Sequence, residues 1–337
     1  MYAAAAGYRR RHYESRPDLR RRLRRPVISL GNIAAGGRAK TPLVGYIAAR
    51  LLAFGERPAI LSRGYGRRDA DDGVVVVRDQ AGIRADLDRS GDEPLMLARH
   101  LDGVTILASP DRYLAGCLAE RRFDCTVHVL DDGFQHFQLE RTADLVAVAP
   151  QDLRDARTLP GGRLREPLDA LGAADAIIAL EDADVGSLAG HRPVWRMRRV
   201  PGRRRAADAF FASGGTAADL DAGLDRRDAD RTAVVAVAGI AHPESFFRTV
   251  DALGIPIVRK MPFRDHHIYS RHDVRTIFAA AAASGAGVVL TTEKDLVRLL
   301  PYRPFPMRLE YVPMTVAIDD AQGLDGWLRG VLAEARA

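Results

Sequence analysis

Cysteine is close to absent. Cys117 and Cys125 are the only two in 337 residues, too few for a disulfide framework and in keeping with a reducing compartment. Lysine is also scarce: Lys40, Lys260 and Lys294 are three of the 50 basic residues, and the other 47 are arginine. An Arg- and Ala-rich codon bias explains most of that skew. It makes each surviving lysine a candidate for a place where a compact ammonium matters and a guanidinium does not serve. No apolar run approaches the ~20 residues that span a bilayer. Nor does the apolar core of a secretory signal follow the N-terminal charges. What is present is 47% hydrophobic and 28% charged, with a net charge of +6. That is a soluble globular composition with enough chain for one large or two ordinary domains, and it excludes disordered and collagenous classes.

The positive charge gathers at the start. Residues 1–25 hold nine arginines against Glu14 and Asp18, a net +7. Two functional readings suit this segment, an arm on nucleic-acid phosphates or an anchor lying on anionic lipid; the plain one is a solvated basic helix.

From Pro26 onward, short Val- and Ile-rich runs alternate with stretches long enough for helices. Val27–Leu30, Ala59–Leu61, Val74–Val77, Val104–Ala108, Val127–Leu130, Leu145–Ala149 and Ala176–Leu180 read as buried strands. The alternation predicts an α/β fold, a parallel sheet with helices on both faces. A second block holds Val234–Val237, Ile255–Val258 and Val288–Leu290, after the polar stretch Arg203–Arg231, of which Arg203–Arg205 reads as a mobile loop. Val194–Val200 and Arg308–Ile318 read as extended and are expected to pair as a two-stranded bridge, with the last helix returning to the first domain. The expected division is a basic segment at 1–25, a phosphate-binding core at 26–193 joined by 319–337, and a smaller α/β domain with the linker strands at 194–318.

The strand Val27–Leu30 runs into Gly31-Asn32-Ile33-Ala34-Ala35-Gly36-Gly37-Arg38-Ala39-Lys40-Thr41-Pro42, then into a helix-like run, Leu43–Phe54. In such a context backbone N–H groups and a helix start surround phosphate oxygens. The lysine reaches the β- and γ-phosphates and the hydroxyl ligates Mg²⁺. The pattern G-x-x-x-x-G-K-[ST] would put glycine where this chain has Ala34 and Ala39, while Gly36 and Gly37 keep the loop pliable. A plain turn before an ordinary helix is the bland reading, and the presence of one of only three lysines counts against it.

Other clusters sit at strand ends, where open α/β sheets bind ligands. Asp131-Asp132-Gly133-Phe134-Gln135-His136 suits the acidic element that orients Mg²⁺ in an NTPase. In Gly91-Asp92-Glu93-Pro94, Asp92 reads equally as a helix cap or as a base for a sugar hydroxyl. Arg112 in Ser109-Pro110-Asp111-Arg112 and Arg165 in Leu164-Arg165-Glu166-Pro167 offer bidentate clamps for phosphate. Asp265-His266-His267 lacks zinc spacing and fits a histidine held by a carboxylate for proton transfer. Lys294, in Thr291-Thr292-Glu293-Lys294-Asp295, follows a strand directly.

Together with Ser62-Arg63-Gly64-Tyr65-Gly66 and Ala238-Gly239-Ile240, these motifs occur in an order that resembles the tetraacyldisaccharide 4′-kinase family, the lipid A 4′-kinases. The resemblance covers about residues 25–300. It implies a P-loop kinase fold and transfer of the ATP γ-phosphate, with Mg²⁺, to the 4′-hydroxyl of a tetraacylated disaccharide 1-phosphate. The setting it implies is the cytoplasmic face of the inner membrane, reached peripherally. By position, Asp92, His266 and Lys40 match catalytic residues. Gly36, Gly37, Arg38, Ala39, Lys40, Thr41, Arg112, Asp131, Gln135 and Arg165 match the nucleotide side. Arg63, Tyr65, His136 and Glu166 match the substrate side, and Thr41, Asp132 and Glu93 the Mg²⁺ partners. Three features depart from the family pattern: Ala39 replaces glycine, His242 stands where asparagine is expected, and the N-terminus is more arginine-rich and less apolar.

Asp92, tuned by His266, is expected to take the hydroxyl proton, with closure needed if the two lie in different domains. A nucleic-acid-stimulated NTPase is the competing reading, but no aromatic-and-basic stacking stripe accompanies the arginines. A non-catalytic family member marked by Ala39 is the third.

Overall fold

The computed structural model describes residues 2–36, 40–68, 73–211 and 232–337. The expectations for Gly37, Arg38 and Ala39 fall outside those residues, as do 212–231 of the polar stretch. In chain order the strands are β1 (Val27–Asn32), β2 (Pro58–Ser62), β3 (Val75–Asp79), β4 (Gly82–Ile83), β5 (Thr105–Ala108), β6 (Val127–Asp131), β7 (Ala143–Val148) and β8 (Ala176–Leu180). Then come β9 (Val194–Pro201), β10 (Arg205–Ala206), β11 (Val234–Ala238), β12 (Ile257–Pro262), β13 (Val288–Thr292), β14 (Arg308–Val312) and β15 (Met314–Ile318). The helices are α1 (Tyr2–Glu14), α2 (Lys40–Ala53), α3 (Leu87–Ser90), α4 (Asp92–His100), α5 (Arg112–Arg122) and α6 (Pro150–Arg154). They continue with α7 (Ala207–Phe211), α8 (Pro243–Ala252), α9 (Arg271–Ala283), α10 (Glu293–Leu299) and α11 (Ala321–Glu334).

The larger sheet has the order β15-β9-β8-β7-β1-β6-β2-β5-β3-β4. Every pairing from β9 to β5 is parallel, and only the edge pairings β15–β9, β5–β3 and β3–β4 are antiparallel. Parallel strands are covered on both faces. Accordingly every residue of β1, β2, β5, β6, β7 and β8 is buried, which is why their sequences are continuous apolar runs. On one face α2 buries Leu43, Val44, Ile47, Ala48 and Leu51 at helical spacing. Each fully buried Leu or Ile stabilises the fold by about 1.5–3 kcal/mol. The last helix, α11, returns to this same core through Leu324, Leu328 and Leu332.

The smaller sheet has the order β10-β14-β13-β11-β12, parallel except for β10. Helix α4 divides its faces between the two cores. Leu97 and Ala98 pack with the larger sheet, Leu95 and Met96 with the smaller. The start of α4 is thereby fixed at the boundary, and Asp92 and Glu93 with it.

The bridge differs from expectation in one respect. Met314–Ile318 pairs antiparallel with β9 as expected, but Arg308–Val312 lies parallel to β13 in the smaller sheet, with Pro313 between the two strands. Since β9 also pairs with β8, the bridge is the edge of the larger sheet. Arg203–Arg205 is not a free loop. Arg204 is buried with its Nε 3.3 Å from Glu310, itself fully buried, and Arg205 enters β10. A carboxylate sealed in a core requires a cation beside it.

Candidate active site

Strands of both sheets bring their carboxyl ends to one cavity of about 1140 Å³, lined by Ser62 at the end of β2, Asp131 at the end of β6, Thr292 at the end of β13 and Ile240 just after β11. Its two sides are built differently.

On the side where the sequence places phosphate, β1 ends at Asn32 and α2 begins at Lys40. The Lys40 ammonium donates to Asp132 Oδ1 at 2.6 Å and to Asn32 Oδ1 at 3.3 Å. Arg165 donates to both Asp132 oxygens, at 2.9 and 2.7 Å, and to the Asn32 side chain. Burial alone would raise the Asp132 carboxyl. The hydrogen bonds and charges of Arg165 and Lys40 outweigh it and hold the group well below the usual carboxylate range. Asp132 adopts a left-handed backbone, φ +51°, a conformation aspartate tolerates at a modest cost. Asp131 accepts from the Ser62 hydroxyl at 2.9 Å. Burial, then the Glu93 and Asp132 charges, push its carboxyl up to about 6. Thr41, in the first turn of α2, is buried at the cavity wall.

On the opposite side, Asp92 Oδ2 meets His266 Nδ1 at 3.1 Å, across a sequence gap that only tertiary structure closes. Arg298 donates to the same oxygen through Nε at 2.8 Å and Nη2 at 2.5 Å. Asp92 is buried, which by itself would raise its carboxyl. The His266 hydrogen bond with the Lys294, Arg298 and His266 charges reverses that and holds it well below the usual range. Lys294 donates to Glu93 Oε1 at 2.9 Å and lies 3.2 Å from His266 Nε2. Burial opposes the Lys294 charge, but Glu93 and Asp92 outweigh it and its pKa is raised. Gly91 makes the approach possible. It sits at φ +83°, and a Cβ there would lie 2.5 Å from the Tyr65 carbonyl. Asp92 and His266, expected to require closure, are already in contact in this structure.

The remaining expected residues fall around these two poles. Arg63 and Tyr65 are exposed on the cavity wall, and the Tyr65 ring packs edge-on against His266 at 4.9 Å. Arg112 and His136 are turned into the wall; Arg112 Nε, Arg165 Nε and His136 Nε2 are buried with no partner among the described residues. Burial, with Arg112 and Arg141 nearby, depresses His136 to about 4. Gln135 donates to the Asn32 carbonyl at 2.9 Å and to Glu166 at 2.8 Å. Glu166 is engaged within the protein, since Arg10 of α1 grips both its oxygens at 2.8 Å.

The family model described as tetraacyldisaccharide-1-P 4′-kinase matches residues 1–333. The chain belongs to the tetraacyldisaccharide 4′-kinase family. It is 38% identical over 311 residues to the tetraacyldisaccharide 4′-kinase of Geobacter sulfurreducens, covering 89% of this chain and 84% of that one. The enzyme of the same name from Anaeromyxobacter sp. is 39% identical, covering 92% and 83%. A crystal structure of the Aquifex aeolicus family member LpxK in complex with ATP superposes with a TM-score of 0.77 at 28% identity, covering 98% of this chain and 96% of that one. The family fold is thus the one described above, a P-loop kinase core with its parallel sheet.

Sequence reasoning missed Arg298. One arginine among 47 carries no signal of its own; the helical spacing from Lys294 to Arg298, which puts both on one face, is the only cue. Lys294 was singled out by its rarity and its strand-end position, and the structure gives it two partners.

Proposed function

We propose that this kinase transfers the γ-phosphate of ATP to the 4′-hydroxyl of a tetraacylated disaccharide 1-phosphate, the phosphorylation of lipid A assembly, with Asp92 as the group that holds and accepts the hydroxyl proton. The carrying observation is the Asp92–His266 contact at 3.1 Å, whose histidine lines the same cavity as Lys40. Lys40, Arg165 and Arg112 concentrate positive charge where a transferring phosphoryl group gains negative charge, the main requirement of a loose phosphoryl-transfer transition state. Asp92 is a weak base because Arg298 and His266 stabilise its charge. That suits a reaction in which the hydroxyl must be oriented in line and lose its proton late.

Among the described residues, no cluster of three or more His, Cys, Asp or Glu forms a metal cage made of protein alone. Mg²⁺ needs none, since it takes one or two carboxylates and completes its shell with phosphate oxygens and water. Burial first, and then the Glu93 and Asp132 charges, raise the Asp131 carboxyl, and such a cation beside it would offset both. Asp132 is occupied by Lys40 and Arg165, and Glu93 by Lys294. Asp131, with the Thr41 hydroxyl, is therefore the better protein partner. When bound, the ion screens the charge of the phosphates.

Membrane contact at the cytoplasmic face is part of the same reading. No helix among the described residues is long and apolar enough to cross a membrane. In α1, Arg9 and Arg11 are exposed beside Tyr8, a surface for anionic headgroups worth about 1 kcal/mol per arginine near the bilayer. Of the N-terminal arginines, Arg10 is spent on Glu166 and Arg21 on Asp111.

The test is an assay with purified protein, Mg·ATP and tetraacyldisaccharide 1-phosphate. ADP and a lipid heavier by one phosphate are expected. ATP hydrolysis stimulated by DNA, with the lipid unmodified, would overturn the reading in favour of a nucleic-acid-dependent NTPase.

A further inference from the structure

Resting on that reading, we infer that Lys294 and Arg298 are positioning residues for the reaction: two prongs from successive turns of α10 that fix the Asp92–His266 pair in a single hydrogen-bonding state. Asp92 is at the start of α4 in the larger lobe, while Lys294, Arg298 and His266 come from the smaller. The pair therefore exists only while the lobes are held in register.

The chemistry of the partners decides which ring nitrogen carries the proton. An ionised Asp92 can only accept, so His266 Nδ1, 3.1 Å away, carries the hydrogen; Arg298 Nη2, 3.3 Å from the same nitrogen, directs its own hydrogen to Asp92 Oδ2 at 2.5 Å. The Lys294 ammonium can only donate, so Nε2, 3.2 Å from it, must present its lone pair. The opposite tautomer would set an N–H against an ammonium and a lone pair against a carboxylate. With Nε2 occupied, His266 orients Asp92 and leaves that carboxylate to meet the substrate hydroxyl.

Arg298 acts on the other partner. It is buried, donates twice to Asp92 Oδ2, and is itself braced by the Gly239 carbonyl at 2.7 Å and Asp295 Oδ1 at 3.1 Å. Asp295 in turn takes the Gly239 N–H at 2.9 Å and the Thr292 and Tyr269 hydroxyls. The forked guanidinium thus ties the carboxylate to the end of β11, a geometry a lysine could not reproduce. His266 is held at φ +53°, a strained backbone that the surrounding contacts must maintain.

A double-mutant cycle tests this. Lys294→Met should lower kcat at least tenfold while the ATP Kd and Tm stay close to wild type, since misplacing a reacting group costs rate before it costs binding. In the Asp92→Asn background the same change should cost less than about threefold, because the group it positions is already disabled. In the single variant, side-chain ¹⁵N spectra should show the His266 Nδ1–H signature weakening in favour of Nε2–H. Lys294→Arg, which restores a donor, should recover part of kcat. Arg298→Lys, chosen because Arg298→Ala would leave two buried carboxylates uncompensated, should also lower kcat with ATP affinity retained. Unchanged kcat in Lys294→Met, or a loss that is fully additive with Asp92→Asn, overturns the inference. Should Asp92→Asn itself turn over normally, the base assignment under Proposed function fails instead.

Discussion

The two poles of the cavity differ in how they are assembled. The phosphate side draws Asn32, Lys40, Asp131 and Asp132 from the ends of two neighbouring strands and the helix that follows one of them, with Arg165 from a nearby loop. The base side takes Asp92 and Glu93 from one lobe and His266, Lys294 and Arg298 from the other. On the phosphate side Lys40 and Arg165 grip Asp132, yet Arg112 Nε and Arg165 Nε are buried with no partner among the described residues. The base side instead matches two carboxylates with two cations. A site meant to receive a highly charged ligand keeps some buried donors open, whereas one meant to position a single proton acceptor engages its charges and fixes their geometry.

The sharpest test of this contrast pairs one variant from each pole. Asp92→Asn should cut kcat by about 10²–10⁴-fold with ATP binding nearly intact. Lys40→Met should cost about 10²–10³-fold and weaken ATP binding as well. Steady-state kinetics with nucleotide titration separates the two, and equal effects on ATP affinity would erase the distinction.

The next effect probes how the phosphate side is braced. Arg10 grips Glu166, Glu166 accepts from Gln135, and Gln135 donates to the Asn32 carbonyl beside Lys40. Arg10→Ala leaves a buried carboxylate short of its cation, a loss of about 3 kcal/mol. We expect α1 to become sensitive to limited proteolysis and the KM for ATP to rise several-fold with kcat little changed. A change in kcat alone would place α1 with the base side instead.

The smallest effect concerns pH. His136, depressed to about 4 in the folded state, stays neutral there, while in the unfolded chain it titrates near the usual ~6.5. Only the unfolded chain takes up the proton in that window. The stability His136 contributes is therefore present above about pH 6.5 and is lost as pH falls toward 4, by about 3 kcal/mol at most. His136→Gln should flatten the fall of the urea midpoint across that window. An unaltered slope would show that neither burial nor the positive field of Arg112 and Arg141 holds the ring neutral.

Much of the fold was legible because the sheet strands are buried on both faces and read as uninterrupted Val- and Ile-rich runs. Val194–Val200 was legible as extended for a different reason. At the sheet edge its strand alternates buried and exposed residues, and its pairing with Met314–Ile318 was foreseen. The break at Pro313 was not, because one extended run gives no hint that its halves join different sheets. The buried Arg204 was missed since its partner Glu310 lies about a hundred positions away and no local pattern marks it.

By itself, then, the sequence determined the α/β architecture and pointed to a phosphate pole, because a strand, a glycine-containing loop and a helix start are contiguous and their chemistry is local. It also picked out Asp92 and His266 as residue types suited to proton transfer. Only the tertiary structure decided that they touch, that Arg298 and Lys294 close around them, and that Arg10 lies beneath the site instead of facing solvent. Each of those contacts joins residues far apart in the chain. What creates them is α4 sharing its apolar faces between two cores and α1 docking onto Phe134 and Phe137, and packing between distant elements leaves no periodic trace in a sequence.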